Sequence, residues 1–416
     1  MSETFDVAVI GGGVIGVGAA ERLAARGAKV VLLEQGEICS GASYGNAGWV
    51  SPSHGTPLPA PGVIRQALRW LLDPESPFYV KPRLDLELLT WLFDFLRAAT
   101  AERARATMRA NRELIVASLA LYEKLAAEPG ADFAFARRGL VVACESAGGM
   151  EHARAELDAL AEVGGEGREL RLAELRELAP RAADDLRGGV YFPADAHLDP
   201  ERLVRTLAER AAAHGARLET RQEVLELETR GRRIERIVAT RGEFRASEVV
   251  LAAGAWSPVV AARLGLRLPV QAAKGYSVTV RRPADFGENP VLLSEAKVAV
   301  TPIGDALRFA GTLELAGLDL SVNARRVAAI LRAVERFLPG VAAQPRLETW
   351  RGLRPLTPDD RPILGRTRAF ENLVIATGHG MSGISQGPIT AQLVAELCRG
   401  EPPSLPLAAF SPDRFG

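Results

Sequence analysis

Three groups of residues in this 416-residue chain have the types and spacing to do chemistry. The first is Gly11-Gly12-Gly13-Val14-Ile15-Gly16, which satisfies G-x-G-x-x-G and is followed, at the end of the next apolar run, by Glu34 and Gln35. Gly11 allows a tight turn, Gly13 lets the main chain approach a pyrophosphate, and Gly16 permits close packing of a helix on a strand. A helix opening there offers unsatisfied N–H groups to an anion. A carboxylate at Glu34 can accept both hydroxyls of an adenosine ribose and repels a 2′-phosphate. The unit reads as a dinucleotide site and does not by itself choose between nicotinamide and flavin.

The second group is Gly378-His379-Gly380-Met381-Ser382-Gly383-Ile384, a glycine loop ahead of a helix with Pro388 near its first turn. Free N–H groups and the positive end of the helix dipole then point into the loop. The third is Arg354, within Gly352-Leu353-Arg354-Pro355. A guanidinium offers a rigid two-pronged donor to a carboxylate, although a single arginine in an Arg-rich chain serves equally well as a surface brace. Tyr276, in Lys274-Gly275-Tyr276, reads either as a hydroxyl at the site or as a core tyrosine. His54 and His379 invite a general-base role. His379 is assigned to the glycine loop.

The elements that must position these groups follow from hydrophobic periodicity. Phe5 to Ile10 and Lys29 to Leu33 are continuous apolar runs, as buried parallel strands are, and Ala19 to Arg26 between them reads as a helix closed by Gly27. Ser40 to Pro61 is loop. Ala101 to Glu128, without Gly or Pro, is one long helix with Met108, Ile115, Leu119, Tyr122 and Ala126 on its apolar face. Glu151 to Val163 is helical in pattern, and Asp199-Pro200 starts another helix. Val224 to Glu228 and Ile234 to Thr240 alternate as an antiparallel pair. Glu248 to Ala252, Gln271 to Arg281 and Val298 to Gly311 add strands, and Asn372 to Ala376 leads into the second glycine loop and the last helix. Leu84 to Leu96, dense in Leu, Trp and Phe, has two readings: a helix packed in a second domain, or a surface that touches a membrane or a partner. No basic face accompanies it, which favours packing.

Composition closes off several classes. Lys+Arg and Asp+Glu both number 51, and the basic residues are interspersed with acidic ones, so no phosphate-tracking stripe exists and nucleic acid is excluded as a partner. Three cysteines, Cys39, Cys144 and Cys398, have no metal-ligand or redox-pair spacing; no metal site is expected, and a reducing compartment is. The polar opening residues do not resemble a signal peptide, and no apolar run is long enough to span a bilayer. The expected location is cytoplasmic, with the inner face of the membrane as the variant that goes with Leu84 to Leu96.

The chain resembles the D-amino-acid oxidase-like family of FAD-dependent oxidoreductases, and within it the bacterial D-amino-acid dehydrogenases. The residues carrying the resemblance are the N-terminal fingerprint, Ser40-Gly41-Ala42-Ser43 with Gly45-Asn46-Ala47-Gly48, Leu251-Ala252-Ala253-Gly254-Ala255-Trp256, Lys274-Gly275-Tyr276, Trp350-Arg351-Gly352-Leu353-Arg354-Pro355 and Thr377-Gly378-His379-Gly380. The resemblance implies an α/β fold: a doubly wound, Rossmann-like FAD domain of the glutathione-reductase type, interleaved with a smaller α+β substrate domain. The expected division is 1–50, 199–265 and 350–416 for the FAD domain, and 51–198 and 266–349 for the substrate domain.

It further implies non-covalent FAD held by Gly11, Gly13, Val14, Ile15, Gly16, Glu34, Gln35, Ser40, Ser43, Asn46, Ala47, Gly48, Val224, Ala253, Gly254, Trp256, Gly352, Gly378, Gly380, Met381, Ser382, Gly383 and Ile384. Arg354 would hold the substrate carboxylate, and Tyr276 would add a hydroxyl contact near the flavin. The implied reaction is oxidative deamination of D-amino acids to 2-oxo acids and ammonia, by hydride transfer from Cα to flavin N5, with electrons passed to a non-oxygen acceptor such as a quinone. Oxidation of a secondary amine or imino acid (sarcosine, glycine, hydroxyproline) is the alternative within the enzyme class. A flavin-bearing subunit of a larger dehydrogenase assembly is the alternative outside it.

Overall fold

A computed structural model describes residues 3–53, 57–63 and 76–415. The two runs read as buried strands, Thr4–Ile10 and Val30–Leu33, lie parallel with Val7 beside Val30 and Ile10 beside Leu33. On its other side Thr4–Ile10 pairs in parallel with Gly242–Leu251, which in turn pairs with Leu373–Thr377. Arg217–Glu219 extends this parallel centre beside Val30–Leu33, and Ile363–Arg366 runs antiparallel beside Leu373–Thr377. The expected antiparallel pair, Val224–Arg230 with Arg233–Ala239, grows from the start of Gly242–Leu251 and completes an eight-stranded sheet.

One face of this sheet is covered by the helices Val14–Ala24, Pro200–Ala213, Gly383–Cys398 and Ala101–Ala126, which share a core with Val9, Leu32, Val250 and Val374. The other face buries Phe5, Ala8, Ile10, Val224, Phe244 and Val260. The first helix starts at Val14 rather than at Ala19. Gly16 and Gly18 are poor helix formers, but Gly18 leaves room for a crossing helix: a Cβ there would lie 3.2 Å from Cβ of Ala391. The long helix also departs from expectation. It falls in the stretch assigned to the second domain, yet its buried Leu114, Ile115, Leu119 and Tyr122 belong to the core of the first sheet.

The second sheet has nine strands. Arg346–Leu356, Gln271–Arg281, Ala306–Leu315, Val298–Ile303, Val291–Leu293, Leu140–Cys144, Gly188–Phe192 and Arg168–Leu170 follow one another, with Phe78–Val80 attached to Ala306–Leu315. The segment expected as one strand from Val298 to Gly311 is a hairpin turned at Gly304. The boundary expected at 350 falls inside Arg346–Leu356, whose register with Gln271–Arg281 continues to Leu356 opposite Gln271. The helix Ala324–Phe337 packs Val327, Ile330, Val334 and Phe337 on one face of this sheet. The opposite face looks toward the loops of the first sheet.

The Leu84 to Leu96 region contains the helix Leu86–Ala98, capped by Asp85, which accepts from Leu88 N–H at 3.1 Å. The packing reading holds for one side of this helix. Leu88 and Trp91 pack with Ala273, Leu315 and Leu356, while Leu86 (82% exposed), Leu89, Phe93 (58%) and Leu96 face outward. No helix among the described residues is long and apolar enough to cross a membrane.

Candidate active site

The first glycine turn is built so that only glycine fits. Gly11 has φ of +118°, and a Cβ there would lie 2.4 Å from the carbonyl oxygen of Ala252; one at Gly16 would lie 1.9 Å from the carbonyl oxygen of Gly11. Gly13 is the N-cap of Val14–Ala24 and has no side chain to satisfy the helix's first N–H groups, and no acidic residue sits in the first turn. Among the described residues the one side chain offered to the helix start is Ser43, whose Oγ accepts from Val14 N–H at 2.9 Å. Glu34 takes N–H bonds from Gly12 at 2.6 Å and Gly36 at 2.7 Å, which pins its carboxylate at the mouth of the turn. Val224 lies close by, since Gln222 N–H donates to Glu34 carbonyl at 2.8 Å. Ala253 and Gly254 (φ +54°) border Gly11, and Thr377 Oγ1 donates to the Gly254 carbonyl. An uncapped helix start, a carboxylate at the strand end and a floor without side chains are what a dinucleotide needs, so the residues present fit FAD.

The Ser40–Gly48 loop closes against the same turn and against the second sheet. Asn46 departs from its expected role. Its Nδ2 donates to the carbonyls of Ala42 and Ser43, and its Oδ1 accepts from Gly48 N–H, so the side chain staples its own loop. Across the gap, Tyr44 Oη donates to Glu348 at 3.0 Å, and Arg308 donates to the carbonyls of Asn46 and Tyr44 at 3.1 and 3.4 Å. Arg308 is a buried cation, and desolvation holds its guanidinium below the usual arginine range. It was missed in the sequence, where the signal was a charged residue between Leu307 and Phe309 in an apolar run.

The second glycine loop lies at the end of Arg346–Leu356. Gly380 N–H donates to the Pro355 carbonyl at 2.9 Å, and His379 bridges to Leu356. Gly378 and Gly380 take φ of +72° and +56°. Ser382 caps Gly383–Cys398 without a side-chain bond, and no acidic residue occupies the first turn, so the positive helix end stays open toward the loop. Met381 is exposed. Pro388 sits in the second turn rather than near the first, and the Ile384 carbonyl left without its N–H partner receives the hydroxyl of Tyr122 at 2.7 Å. His379 Nε2 lies 3.1 Å from Thr390 Oγ1, and burial pulls the imidazole down to about 3, so it is neutral. His54 lies outside the described residues.

Arg354 is on the face of the second sheet that meets these loops. Its Nη1 donates to the Thr312 carbonyl at 2.8 Å, and no carboxylate among the described residues pairs with it. Loss of solvent draws it down to about 10, and it remains charged at neutral pH. Trp350 and Gly352 share this face, the Trp350 ring lying over Gly45 and Gly352. Trp256, half-buried, packs with Ala255, Ala272 and Leu353.

Tyr276 does not belong to this group. It is next to Gly275 in an extended strand, so it points to the other face. There it is buried, with its hydroxyl between Glu314 Oε1 at 3.2 Å and Asn323 N–H at 3.3 Å. Of the two readings of Tyr276, the core tyrosine fits and the hydroxyl contact near the flavin is corrected: the hydroxyl sits in a buried charge cluster.

Three loops of one sheet thus meet a face of another that carries an arginine without a carboxylate partner among the described residues, an arrangement that suits a dinucleotide-dependent oxidoreductase built on two sheets. The family model for the DAO group, FAD dependent oxidoreductase, matches residues 6–397, and the chain belongs to that family. It is 36% identical over 420 residues to a D-amino acid dehydrogenase of Paramagnetospirillum magneticum, covering 98% of each chain. It is 35% identical to a D-amino-acid oxidase of Bradyrhizobium diazoefficiens, covering 100% of both. Among solved structures it is similar to glycine oxidase from Geobacillus kaustophilus, with TM-score 0.80, 27% identity and 99% of each chain covered.

Proposed function

We propose that the chain oxidises the C–N bond of a small D-amino acid, giving the 2-oxo acid and ammonia, and that its electrons pass to an acceptor other than oxygen. The observation that carries the reading is Arg354, a desolvated guanidinium with no carboxylate partner among the described residues, facing the cofactor loops. A substrate carboxylate supplies the missing anion, and a charge-assisted pair in such surroundings is strong. The D configuration follows the two curated relatives and not the pocket. When bound, FAD supplies the hydride acceptor.

The chain's residues divide the remaining work. Gly11, Gly13 and the Val14–Ala24 helix start receive the pyrophosphate, Glu34 the ribose, and Val224 borders the adenine. The open helix end behind the Gly378–Ile384 loop would give a bound flavin a positive potential. Neutral His379 is not a base. Exclusion of water and placement of the neutral amine do that work. The division of the chain into a cofactor domain and a substrate domain is part of this reading, with the Ala101–Ala126 helix moved to the cofactor side. The outward Leu86, Leu89, Phe93 and Leu96 are the surface we assign to the acceptor, a quinone at the inner face of the membrane.

The likeness to glycine oxidase supports a second reading, oxidation of glycine or a secondary amine such as sarcosine. Anaerobic mixing of the flavin-loaded protein with D- and L-amino acids, sarcosine and hydroxyproline separates the two. Bleaching of the visible flavin bands by a D-amino acid, lost in Arg354→Ala, is the expected result. Bleaching by secondary amines alone would transfer the function to the second reading.

A further inference from the structure

Gly275 has no backbone reason to be glycine. It lies in the extended strand Gln271–Arg281, has no positive φ, and glycine weakens a strand interior unless something approaches closely. What approaches is Arg354. A Cβ at Gly275 would lie 2.3 Å from Nη1, 2.5 Å from Nη2 and 2.6 Å from Cζ, so the guanidinium lies flat across the bare main chain.

Directly opposite, the Ala306–Leu315 strand is bulged. Tyr276 faces Gly311 and Lys274 faces Glu314, leaving Thr312 and Leu313 against Gly275 alone. Thr312 takes φ of +69°, a conformation a β-branched residue adopts only under constraint. The bulge accompanies a carbonyl aimed at Nη1, at 2.8 Å. Among the described residues Nη2 and Nε have no acceptor.

We infer that Gly275 and the bulged Thr312 carbonyl form a seat that fixes the Arg354 guanidinium with its remaining donors free, making Gly275 a positioning residue for the substrate carboxylate. The inference rests on the proposed role of Arg354. The seat works by subtraction: the floor is the absence of a methyl group, and the side contact is main chain. Adding a methyl group at 275 displaces the end of a long, flexible side chain, so the fold should absorb it while carboxylate binding does not.

The test uses the FAD-loaded protein and benzoate, a carboxylate with no amine to oxidise, titrated while the flavin absorbance is followed. Wild type should show a saturable shift, and Arg354→Ala should lose it. Gly275→Ala should keep its flavin content and thermal midpoint but bind benzoate roughly 10- to 100-fold more weakly, the worth of one misaligned charge-assisted pair. Wild-type benzoate affinity in Gly275→Ala, with Arg354→Ala inactive in binding, would overturn the seat and leave Arg354's role intact. Loss of flavin or of thermal stability in Gly275→Ala would also overturn it, since the glycine would then serve the sheet. Unchanged binding in Arg354→Ala would instead sink the reading of Arg354 itself.

Discussion

Tyr122→Phe removes one oxygen atom from the centre of the cofactor-side core, and its cost can be worked from local geometry. Pro388 has no N–H, so the Ile384 carbonyl lacks the helical bond it would otherwise receive from residue 388. The Tyr122 hydroxyl donates to that carbonyl at 2.7 Å from the neighbouring helix, and Tyr122 is fully buried. Burial also keeps the phenol protonated far beyond neutral pH, so it is a donor under all working conditions. Phenylalanine leaves a buried carbonyl unsatisfied, which costs about 1–3 kcal/mol. For a cooperative unit of a couple of hundred residues, that lowers the thermal midpoint by roughly 2–12 °C.

The sharper test is a double-mutant cycle. Pro388→Ala restores an N–H aimed at the same carbonyl, so Tyr122→Phe should cost less in that background, with an interaction free energy of about 1 kcal/mol. The temperature at which flavin fluorescence is released, followed beside urea unfolding, gives both stability and cofactor retention. Strictly additive losses would refute the claim that the two residues meet at Ile384. The point bears on function because Ile384 is in the first turn of the helix whose open N-terminus faces the glycine loop.

Glu34→Ala should raise the FAD dissociation constant by about 100-fold, since the carboxylate that orders Gly12 and Gly36 and faces the ribose disappears; equilibrium ultrafiltration measures it. His379→Gln should leave the pH dependence of kcat/KM unshifted, because an imidazole held near 3 does not titrate in the working range. Asp195 is buried, accepts from Ser53 N–H and Oγ, and is raised to about 7 by desolvation. The folded state therefore holds this proton more tightly than the unfolded state, and stability falls as pH rises from about 4 to 7 and then levels off. Asp195→Asn should flatten that decline, measured as thermal midpoints at pH 5 and pH 8; an equally steep decline in the variant would exclude Asp195 as its source.

Much of the cofactor half was legible because its signals are local. A continuous apolar strand, a glycine turn, a helix and a carboxylate at the next strand end occupy one stretch of chain, and the structure keeps them adjacent. The substrate half depends on register. That Gln271–Arg281 is a strand could be read from its residues, and period-two alternation then places Gly275 and Tyr276 on opposite faces. Which face meets Arg354 is decided by the pairing of Gly275 with Gly352, a contact between distant segments. Asn46 enters through the Gly45-Asn46-Ala47-Gly48 motif of the resemblance, and its staple is visible only in the folded loop. The Ala101–Ala126 helix showed its apolar face plainly, but nothing in that face says which core receives it.

The two faces of the second sheet treat buried charge in opposite ways. Toward Ala324–Phe337, each buried cation has an anion: Lys274 Nζ lies 3.4 Å from Glu314 and 3.2 Å from Asp319, and Arg326 Nε lies 2.8 Å from Glu314. Toward the cofactor loops, buried Arg308 and half-buried Arg354 bond to carbonyl oxygens and, for Arg308, the Thr279 hydroxyl, with no ion pair among the described residues. Glu348, the nearby acid, accepts from Tyr44 instead. An unpaired buried charge carries a desolvation penalty of several kcal/mol, and the same sheet evidently can pair its cations. The imbalance on one face is stable in the working enzyme when anionic ligands complete it. Under the proposed function a substrate carboxylate at Arg354 does so directly, so the charge on this face would be fixed by the fold before the ligand arrives.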